Sequence, residues 1–342
     1  MKVITINKHS SKLKIKSVEM PNAPNTNRYM QYLNFPHFLI NRNICKHTII
    51  LVSILILSSS YVVPQKSQTN LKVMTYNIWN GFDWGKDTTR KENWIKWIHD
   101  IDPDVLALQE LCGYNEEKLK ADAAKWGHNY AKILKTEGYP VGLTSKRPII
   151  IKERVIDGLW HGMLHCETYG IDFFVVHLSP ADCEIRLKEA KIITEKVKQC
   201  KSDKFIILGD FNAHSPFDGE ALKHNQSLLK KYSNSNSNKH SNLRLGEFDY
   251  STVSTFIALP SIDVSHNFID IAERYSFPTP ALIGVWQTAD QVKLNKERID
   301  YILTSPIISK SCTNAVINHN NETNTFSDHY PVMAEFKFEI IN

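Results

Sequence analysis

Residues 207–214 read ILGDFNAH, and this stretch decides how the rest of the chain is interpreted. An apolar run ends in Gly209, and Asp210 and Asn212 then follow two positions apart. Gly, Asp and Asn all favour turns, so the simplest interpretation is a strand that ends in a turn. The alternative is a functional site at the carboxyl end of a buried strand. The polar residues beside the other predicted strands distinguish these interpretations.

Polar side chains recur at the ends of several other predicted strands. These are Asn77 in LKVMTYNI (71–78), Glu110 at the end of DVLALQE (104–110), His177 in DFFVVHLS (172–179), Asp300 in RIDYIL (298–303), and Asp328 with His329 before the final strand at 330–340. Any one of these residues alone is explained by a turn, a loop or a solvated acid. The ordered set favours a hydrolytic metal site built at strand ends.

Strands and helices alternate from about residue 70 onward. The apolar periodicity predicts helices at 88–101, 115–126 and 182–200, and it predicts successive antiparallel strands at 141–145, 148–156, 160–167 and 172–179. Strand groups separated by helices predict an α/β (α+β) fold, a four-layer sandwich of two mixed β-sheets packed face to face with helices outside. The polar stretch SNSNSNKHSN (233–242) is predicted to be a loop.

Six motifs in order resemble the endonuclease/exonuclease/phosphatase superfamily, which has the fold of pancreatic DNase. They are VMTYNIW (73–79), DPDVLALQE (102–110), VVHLSP (175–180), ILGDFNAHSP (207–216), RIDYIL (298–303) and SDHYPV (327–332). GDFN and SDH are the most specific of them. The resemblance implies a hydrolase that acts on phosphoric ester bonds with a divalent metal ion, Mg²⁺ or Mn²⁺.

The chemistry of phosphoester hydrolysis suggests a role for each strand-end residue. A hard cation with oxygen ligands neutralises the phosphoryl oxygens, and the resemblance makes Glu110 its principal ligand, with Asn77 alongside and Asp328 as a further ligand. Asp210 and Asn212 would share one side of an extended segment and hold the attacking water and a phosphoryl oxygen. The remaining catalytic roles are His329 as a base or phosphate ligand oriented by Asp300, and His177 as a donor to the phosphate or leaving group.

Three further residues are weaker candidates for substrate contact. His214 follows the GDFN turn, Arg147 with Lys146 could form a positive rim or a solvated hairpin end, and Trp286 lies in a predicted substrate-facing loop or in the core. His161 and His165 are four apart, as in a helical zinc site. They lie among predicted strands, however, where about 13 Å would separate them. They are therefore not expected to share a metal.

The first 69 residues differ from the rest of the chain. They contain nine Lys and Arg against one acid, whereas residues 70–342 contain 32 basic and 35 acidic residues. An apolar segment at about 48–60 with a basic flank predicts a secretory signal, with Met1 or Met30 as the start. The domain at 70–342 is then secreted or periplasmic, and an uncleaved membrane anchor is the alternative. Without C-x-x-C pairs, the six cysteines predict neither a zinc ribbon nor a disulfide scaffold.

The predicted function is an exported phosphodiesterase that acts on a small or lipid phosphodiester. A secreted scavenging nuclease is the alternative, and a non-catalytic binding module on the same fold is a third hypothesis. The slightly acidic domain argues against extended duplex binding, since phosphate contacts require a basic surface. No obligate protein partner is expected, and the protein is predicted to be a monomer.

Overall fold

Two six-stranded mixed sheets form the centre of the domain. The structure is a computed structural model, and it describes residues 67–235, 237 and 239–340. The predicted apolar segment at about 48–60, like nearly all of the predicted leader, lies outside the described residues. The first sheet has the order β13-β14-β1-β2-β4-β3, and the second has the order β11-β12-β8-β7-β6-β5.

The strands in the described part of the chain have these bounds: β1 Ser67–Asn77, β2 Val105–Gln109, β3 Tyr130–Ile133, β4 Gly142–Ser145, β5 Ile150–Val155, β6 Met163–Thr168, β7 Ile171–His177, β8 Phe205–Asp210, β9 Leu243–Arg244, β10 Glu247–Phe248, β11 Ile262–Asp263, β12 Asp300–Thr304, β13 Cys312–Ile317 and β14 Val332–Ile340. β9 and β10 form a separate small hairpin. β1 runs parallel to β2, and β7 runs parallel to β8.

The helices lie between and outside the strands. They are α1 Trp79–Trp84, α2 Thr88–Ile101, α3 Glu116–Lys125, α4 Cys183–Cys200, α5 Gly219–Leu222, α6 Gln226–Ser235, α7 Ser251–Ile257, α8 Val264–Phe268, α9 Ala289–Leu294, α10 Pro306–Ser309 and α11 Thr323–Phe326, with 3₁₀ turns at Pro216–Asp218, Ile271–Glu273 and Pro280–Leu282. α2 begins where the Asp87 side chain accepts from the Arg90 amide, and it buries Trp94, Trp97 and Ile98 on one face.

The largest apolar core lies between the two sheets. Val73 and Val105 of the first sheet belong to the same buried cluster as Phe173, Leu208 and Ile302 of the second. Each large side chain buried in this way contributes roughly 1.5–3 kcal/mol relative to exposure. Two further clusters join the outer sheet faces to helices, the first sheet to α2 and α3, and the second to α4 and α7. The predicted four-layer sandwich is therefore observed.

The two parallel strand pairs determine where polar residues collect. Parallel strands end at the same edge of their sheet, so Asn77 and Gln109 are register partners, as are His177 and Asp210. β12 runs antiparallel to β8 and begins at this edge, with Asp300 opposite Asp210. β14 pairs Val332 with Thr75 of β1, which brings the preceding residues toward the same edge.

Several local predictions differ from the structure. β4 pairs with β2 and β3 of the first sheet, so it forms no hairpin with β5, which belongs to the second sheet. The sequence patterns missed β3 and β13, which are the two outer strands of the first sheet. α6 extends into the stretch predicted to be a loop and takes in its first three residues, 233–235.

Among the residues that the structure describes, none of the helices combines the length and the apolar character needed to cross a membrane.

Candidate active site

Asn77 joins the two sheets at the edge where the polar residues collect. It is fully buried at the end of β1, and its Nδ2 donates to Glu110 Oε1 at 3.2 Å and to Asp210 Oδ2 at 3.1 Å. Its Oδ1 accepts from the Trp79 amide at 3.0 Å. One amide side chain therefore holds a carboxylate of each sheet in place.

Glu110 directly follows β2 in the left-handed region of backbone space, with φ 58°. Such backbone strain in a residue other than glycine is typical of functional sites, because the surrounding structure must enforce it. Its Oε2 accepts from the Asn80 amide at 2.7 Å. Burial and the Asp328 carboxylate raise the pKa of Glu110 to about 6, although the Asn80 hydrogen bond opposes this shift.

The Asn80 amide is presented by α1, which is a left-handed turn. Every residue from Trp79 to Gly85 has a positive φ, and Gly85 donates to Gly81 O at 3.0 Å. A side chain at Gly81 would lie 2.2 Å from the Cys112 carbonyl oxygen, so α1 packs directly against the chain that follows Glu110. Cys112 itself is buried, and burial raises the pKa of its thiol to about 12, as expected for a packed thiol.

His329 and Asp300 form a hydrogen-bonded pair. His329 Nδ1 lies 2.8 Å from Asp300 Oδ2, and Nε2 points toward Asp210 Oδ2 at 3.8 Å. Burial alone would lower the pKa of His329, but Asp300, Asp210 and Asp328 outweigh burial and hold it well above the ordinary value. The ring is therefore an imidazolium in the metal-free site, with Nε2 facing the centre.

Asp210 ends β8 as a buried carboxylate. Burial and then Asp300 raise its pKa to about 8. Its Oδ1 accepts from the Asn212 amide at 2.9 Å. Asn212 is not extended, as the sequence pattern predicted, because its φ is 47° and its Nδ2 donates to Leu178 O at 3.0 Å. GDFN therefore forms a turn, as the simpler interpretation predicted, and this turn lies at the edge where the other polar residues collect.

His177 ends β7 beside Asp210, with 3.5 Å between its Nε2 and Asp210 Oδ2. Burial, followed by the nearby His161 and His329, lowers the pKa of His177 well below its ordinary value. The His161 ring stacks on it, with centroids 4.2 Å apart. The neutral imidazole suits a hydrogen-bond donor rather than a permanent charge.

Asp328 completes the group of carboxylates. It is buried, and Ser327 Oγ donates to its Oδ1 at 3.2 Å and to the Asn77 carbonyl oxygen at 2.6 Å. Burial raises the pKa of Asp328, whereas the adjacent His329 lowers it. Ser327 thereby ties the loop before β14 to the end of β1.

This site has the chemistry to hold a divalent cation. Four carboxyl groups, those of Glu110, Asp210, Asp300 and Asp328, lie together in one buried place. Burial and neighbouring carboxylates raise the pKa of Glu110, Asp210 and Asp328, and a cation bound among them would favour their charged forms. Asp210 and Asp300 place one carboxyl oxygen each within 4.8 Å of the other, with a ring nitrogen of His329 within the same distance of both. In addition, the buried Asp300 Oδ1 has no hydrogen-bond partner among the described residues. Oxygen donors of this kind suit Mg²⁺ or Mn²⁺.

Trp286 is the one weaker candidate that lies beside this site. It is 63% exposed, and its ring meets Trp79 edge to face at 5.6 Å. The two rings line a cavity of about 550 Å³ together with Asn80 and Arg90. Since the Asn80 amide contacts Glu110, the cavity opens next to the proposed metal ligands.

The predictions for Arg147 and His214 are wrong in placement. Arg147 follows β4, whose Ser145 pairs with Val105 at the start of β2, so it lies at the opposite end of the sheet from Glu110. Its guanidinium instead covers the Tyr169 ring at 4.5 Å. His214 is buried, and its Nε2 lies 2.8 Å from the carboxylate of Glu297.

Three contributors to the site were missed by sequence reasoning. They are the backbone amide of Asn80, the hydroxyl of Ser327 and the stacked ring of His161. Ser327 stands within the quoted SDHYPV motif, but a serine before an acid is common in turns. A backbone amide is present in almost every residue type, and ring stacking depends on the fold. Neither contact can therefore be predicted from the identity of a single residue.

Comparisons with known proteins identify the family and support the fold. The sequence model described as the Endonuclease/Exonuclease/phosphatase family matches residues 74–329. No match is found among curated proteins. Among solved structures, an AP endonuclease from Archaeoglobus fulgidus is 17% identical with a TM-score of 0.58, and it covers 78% of this chain and 99% of its own.

Two Neisseria structures are similar to the same extent. A 3′ phosphatase bound to a product DNA hairpin is 21% identical, and a 3′-5′ exonuclease from Neisseria meningitidis is 20% identical. Both have a TM-score of 0.56 and cover 78% of this chain and 99% of their own. These likenesses confirm the predicted fold.

Proposed function

Because the chain belongs to the Endonuclease/Exonuclease/phosphatase family, we propose that it is an exported, divalent-metal-dependent phosphodiesterase. Membership of this family establishes the reaction class: the protein is a hydrolase acting on phosphoric ester bonds, as predicted. The main observation in support of a metal-dependent phosphodiesterase is that several polar groups converge at one edge of the two facing sheets. These groups are Asn77, Glu110, Asp210 and the Asp300–His329 pair.

The proposed metal ligands are Glu110 and Asn77, with Asp328 as a third. Bound Mg²⁺ or Mn²⁺ would neutralise charge on the phosphoryl oxygens. Asn77 donates to the carboxylates of both Glu110 and Asp210, which fixes the orientation of both groups. The Asn80 amide does the same for Glu110 Oε2. The ligand set is therefore pre-organised by hydrogen bonds.

Asp210 is proposed to hold the attacking water. Its Oδ1 is engaged by the Asn212 amide, and its Oδ2 faces the imidazoles of His177 and His329. Proton removal from water needs a base, and burial raises the pKa of Asp210 toward the neutral range in which a general base is most effective. Asn212 is proposed to contact a phosphoryl oxygen.

The imidazolium of His329 is proposed to bind a non-bridging phosphoryl oxygen through Nε2. Asp300 fixes the ring through Nδ1, so the charge on Nε2 stays directed at the centre. His177 is neutral and would donate to the phosphate or to the leaving oxygen. Developing negative charge thus meets donors that are already oriented before substrate arrives.

The substrate is proposed to be a small or lipid phosphodiester. The domain at 70–342 has 32 basic and 35 acidic residues and so lacks the basic excess of a duplex-binding protein. The cavity at Trp79 and Trp286 would accept one organic group next to the ester. The same aromatic pair favours one alternative, a secreted scavenging nuclease, because bases of single strands stack on such rings.

A substrate panel tests the proposal. The purified full chain is stripped with EDTA and assayed with bis-aryl phosphate, aryl phosphorylcholine, an aryl phosphomonoester, DNA and RNA, with and without Mg²⁺ or Mn²⁺. We expect cleavage of the small diesters only with metal. Preference for DNA or RNA would favour the nuclease, and no turnover on any substrate would favour the binding module.

Glu110→Gln tests the metal site within the same assay. The amide keeps the shape of the side chain but removes its charge, so the concentration of Mg²⁺ needed for half-maximal activity should rise strongly while the melting temperature hardly changes. Glu92→Gln, an exposed exchange on α2, is the matched control. Full activity of chelator-treated wild type would refute metal dependence.

Export is proposed from residues 1–69 alone. The mature chain should begin between about Ser59 and Thr69, and N-terminal sequencing of exported protein tests this. A full-length chain held in the membrane would favour the anchor. Size-exclusion chromatography of the mature protein tests the predicted monomer.

A further inference from the structure

A second group of potential metal ligands lies far from the proposed active site. His165 on β6, Asp172 on β7 and Cys200 at the end of α4 each place one ligand atom within 4.8 Å of the other two. Asp172 and His177 lie on the same strand, five residues apart, which corresponds to roughly 16 Å. The group is therefore separate from the catalytic edge.

All three atoms converge on one point rather than forming a relay. His165 Nε2 lies 2.7 Å from Asp172 Oδ1 and 3.9 Å from Cys200 Sγ. A single ring nitrogen thus faces both partners. In a catalytic triad, the two ring nitrogens would each serve one partner. The arrangement resembles the donor set of a metal ion instead.

The spacing fits a tetrahedral zinc ion after small movements. With the usual Zn–N, Zn–O and Zn–S bond lengths, nitrogen and sulfur ligands lie roughly 3.5 Å apart, and nitrogen and oxygen ligands roughly 3.3 Å apart. The observed separations of 3.9 and 2.7 Å lie on either side of these values. Shifts of about half an ångström would therefore accommodate the ion.

The surroundings also favour a cation. His165 and Asp172 are each only 8% exposed, and the His165 ring is fixed by stacking on Phe174 at 4.1 Å. Cys200 is half-buried and is the last residue of the 18-residue helix α4, where the helix dipole is negative. Lys152, a cation near this group, is engaged with Glu167 at 2.6 Å.

We propose that His165, Asp172 and Cys200 form a Zn²⁺ site that links the β6–β7 hairpin to the end of α4. Nitrogen, oxygen and thiolate donors together select Zn²⁺ over Mg²⁺. When Zn²⁺ binds, the Cys200 thiol releases its proton to solvent as the Zn–S bond forms. The proton of the His165 Nε2–Asp172 hydrogen bond moves through solvent to Nδ1, which leaves the Nε2 lone pair for zinc, and water occupies the fourth position. Because the three ligands come together only in the fold, Zn²⁺ binding stabilises the native state.

Cobalt substitution tests the site in the full chain. Co²⁺ bound by a thiolate has a near-ultraviolet charge-transfer band that oxygen ligands do not produce, so the band separates this site from the catalytic edge. We expect about one equivalent of Co²⁺ to produce the band and Zn²⁺ to abolish it. The band should disappear in Cys200→Ser, and Asp172→Asn should weaken Zn²⁺ binding at least about 100-fold, beyond the usual loss for an outer-shell partner.

Cys312→Ser is the matched control, since Cys312 is also half-buried but does not belong to this group. It should keep the band, and Zn²⁺ should raise its melting temperature as much as that of wild type, whereas Cys200→Ser should show a smaller rise, from the catalytic edge alone. Absence of the band in wild type would overturn the proposal even if a variant fails to fold. Its persistence in Cys200→Ser would overturn it as well.

Discussion

His329 and Asp300 are expected to act as one unit, because His329 Nδ1 and Asp300 Oδ2 are 2.8 Å apart and both side chains are buried. His329→Ala should lower kcat by roughly 10²–10³-fold, the usual loss when one oriented donor to the developing negative charge is removed. Asp300→Asn should cost less, because the imidazole survives without its orienting charge. The double variant should cost much less than the product of the two single effects.

Kinetics and melting curves of these variants separate a catalytic from a structural role. The melting temperature of His329→Ala should hardly change, since the residue lies at a strand end. His99→Ala, which changes an exposed histidine on α2, is the control. Turnover like that of wild type in His329→Ala would refute the role.

His128 makes stability depend on pH. It is fully buried, with Nε2 donating to Pro103 O at 2.7 Å and Nδ1 2.8 Å from the Thr144 hydroxyl. Burial lowers its pKa from 6.5 to about 4. The unfolded chain therefore gains a proton first as pH falls, and stability that is fully present above about pH 6.5 is lost toward pH 4. The loss amounts to roughly 3 kcal/mol.

Denaturant unfolding in EDTA at pH 7, 5.5 and 4.5 measures this dependence. The free energy of unfolding of His128→Gln should fall less steeply with acidification than that of wild type. His99→Gln should follow wild type. Equal slopes for wild type and His128→Gln would show that His128 does not contribute.

The sequence alone predicted those site residues that are both polar and located at the end of an apolar strand. Asn77, Glu110 and Asp210 are polar groups at the ends of apolar strands, and the structure brings them together. The sequence does not show that β4 runs antiparallel to β2. Because of this direction, Arg147, which follows β4, lies at the opposite end of the sheet from Glu110, and its predicted placement was wrong. His214 was misplaced because the chain turns inward after β8 and its ring meets Glu297.

At the scale of elements, β7 and β8 approach each other closely at Gly209. Its φ is 141°, and a Cβ there would lie 1.9 Å from the Val176 carbonyl oxygen. Gly209→Ala should therefore separate the two central strands of the second sheet and cost roughly 3 kcal/mol or more. Melting temperature and activity should both fall, because Asp210 is the next residue.

Gly219→Ala is the matched control for that exchange. Gly219 is in a right-handed helical conformation, and the nearest atoms to an added Cβ are 3.6 Å away. Alanine there should leave the melting temperature equal or slightly higher. A Gly209→Ala protein as stable as this control would contradict the close approach.

Long, strongly patterned elements were predictable, and short outer ones were not. The sequence predicts α2 over 88–101, and the helix observed is Thr88–Ile101. β3 has four residues and β13 has six, and both expose part of their side chains at the edges of the first sheet. Half-exposed short strands carry too few apolar residues to show a period of two.

At the scale of the whole molecule, β1 sets the limit for truncation. It begins at Ser67 and lies between β14 and β2. A chain that starts at Ser67 should fold and retain activity, whereas a chain that starts at Ile78 should not fold, because it lacks a central strand. Circular dichroism and the diesterase assay measure both. An unfolded product from the Ser67 start would contradict the proposed domain boundary.

The sandwich as a whole was predictable because strand groups, helices and six ordered motifs all indicate the same fold, and the match over residues 74–329 agrees. The His165–Asp172–Cys200 group was not predictable. Its members are 7 and 28 residues apart in the chain, and only the β6–β7 pairing and the length of α4 bring them together.

The left-handed turn α1 makes one amide proton a reporter of the site. Each L-residue in such a turn costs about 1–2 kcal/mol relative to a right-handed helix. The turn therefore depends on its contacts with Glu110 and Cys112. If a ligand draws Glu110 Oε2 away from Asn80, the turn loses a main support and opens more often. Exchange of the Asn80 amide proton with deuterated solvent would then accelerate, and its rate would follow occupancy of the carboxylate without any substrate present.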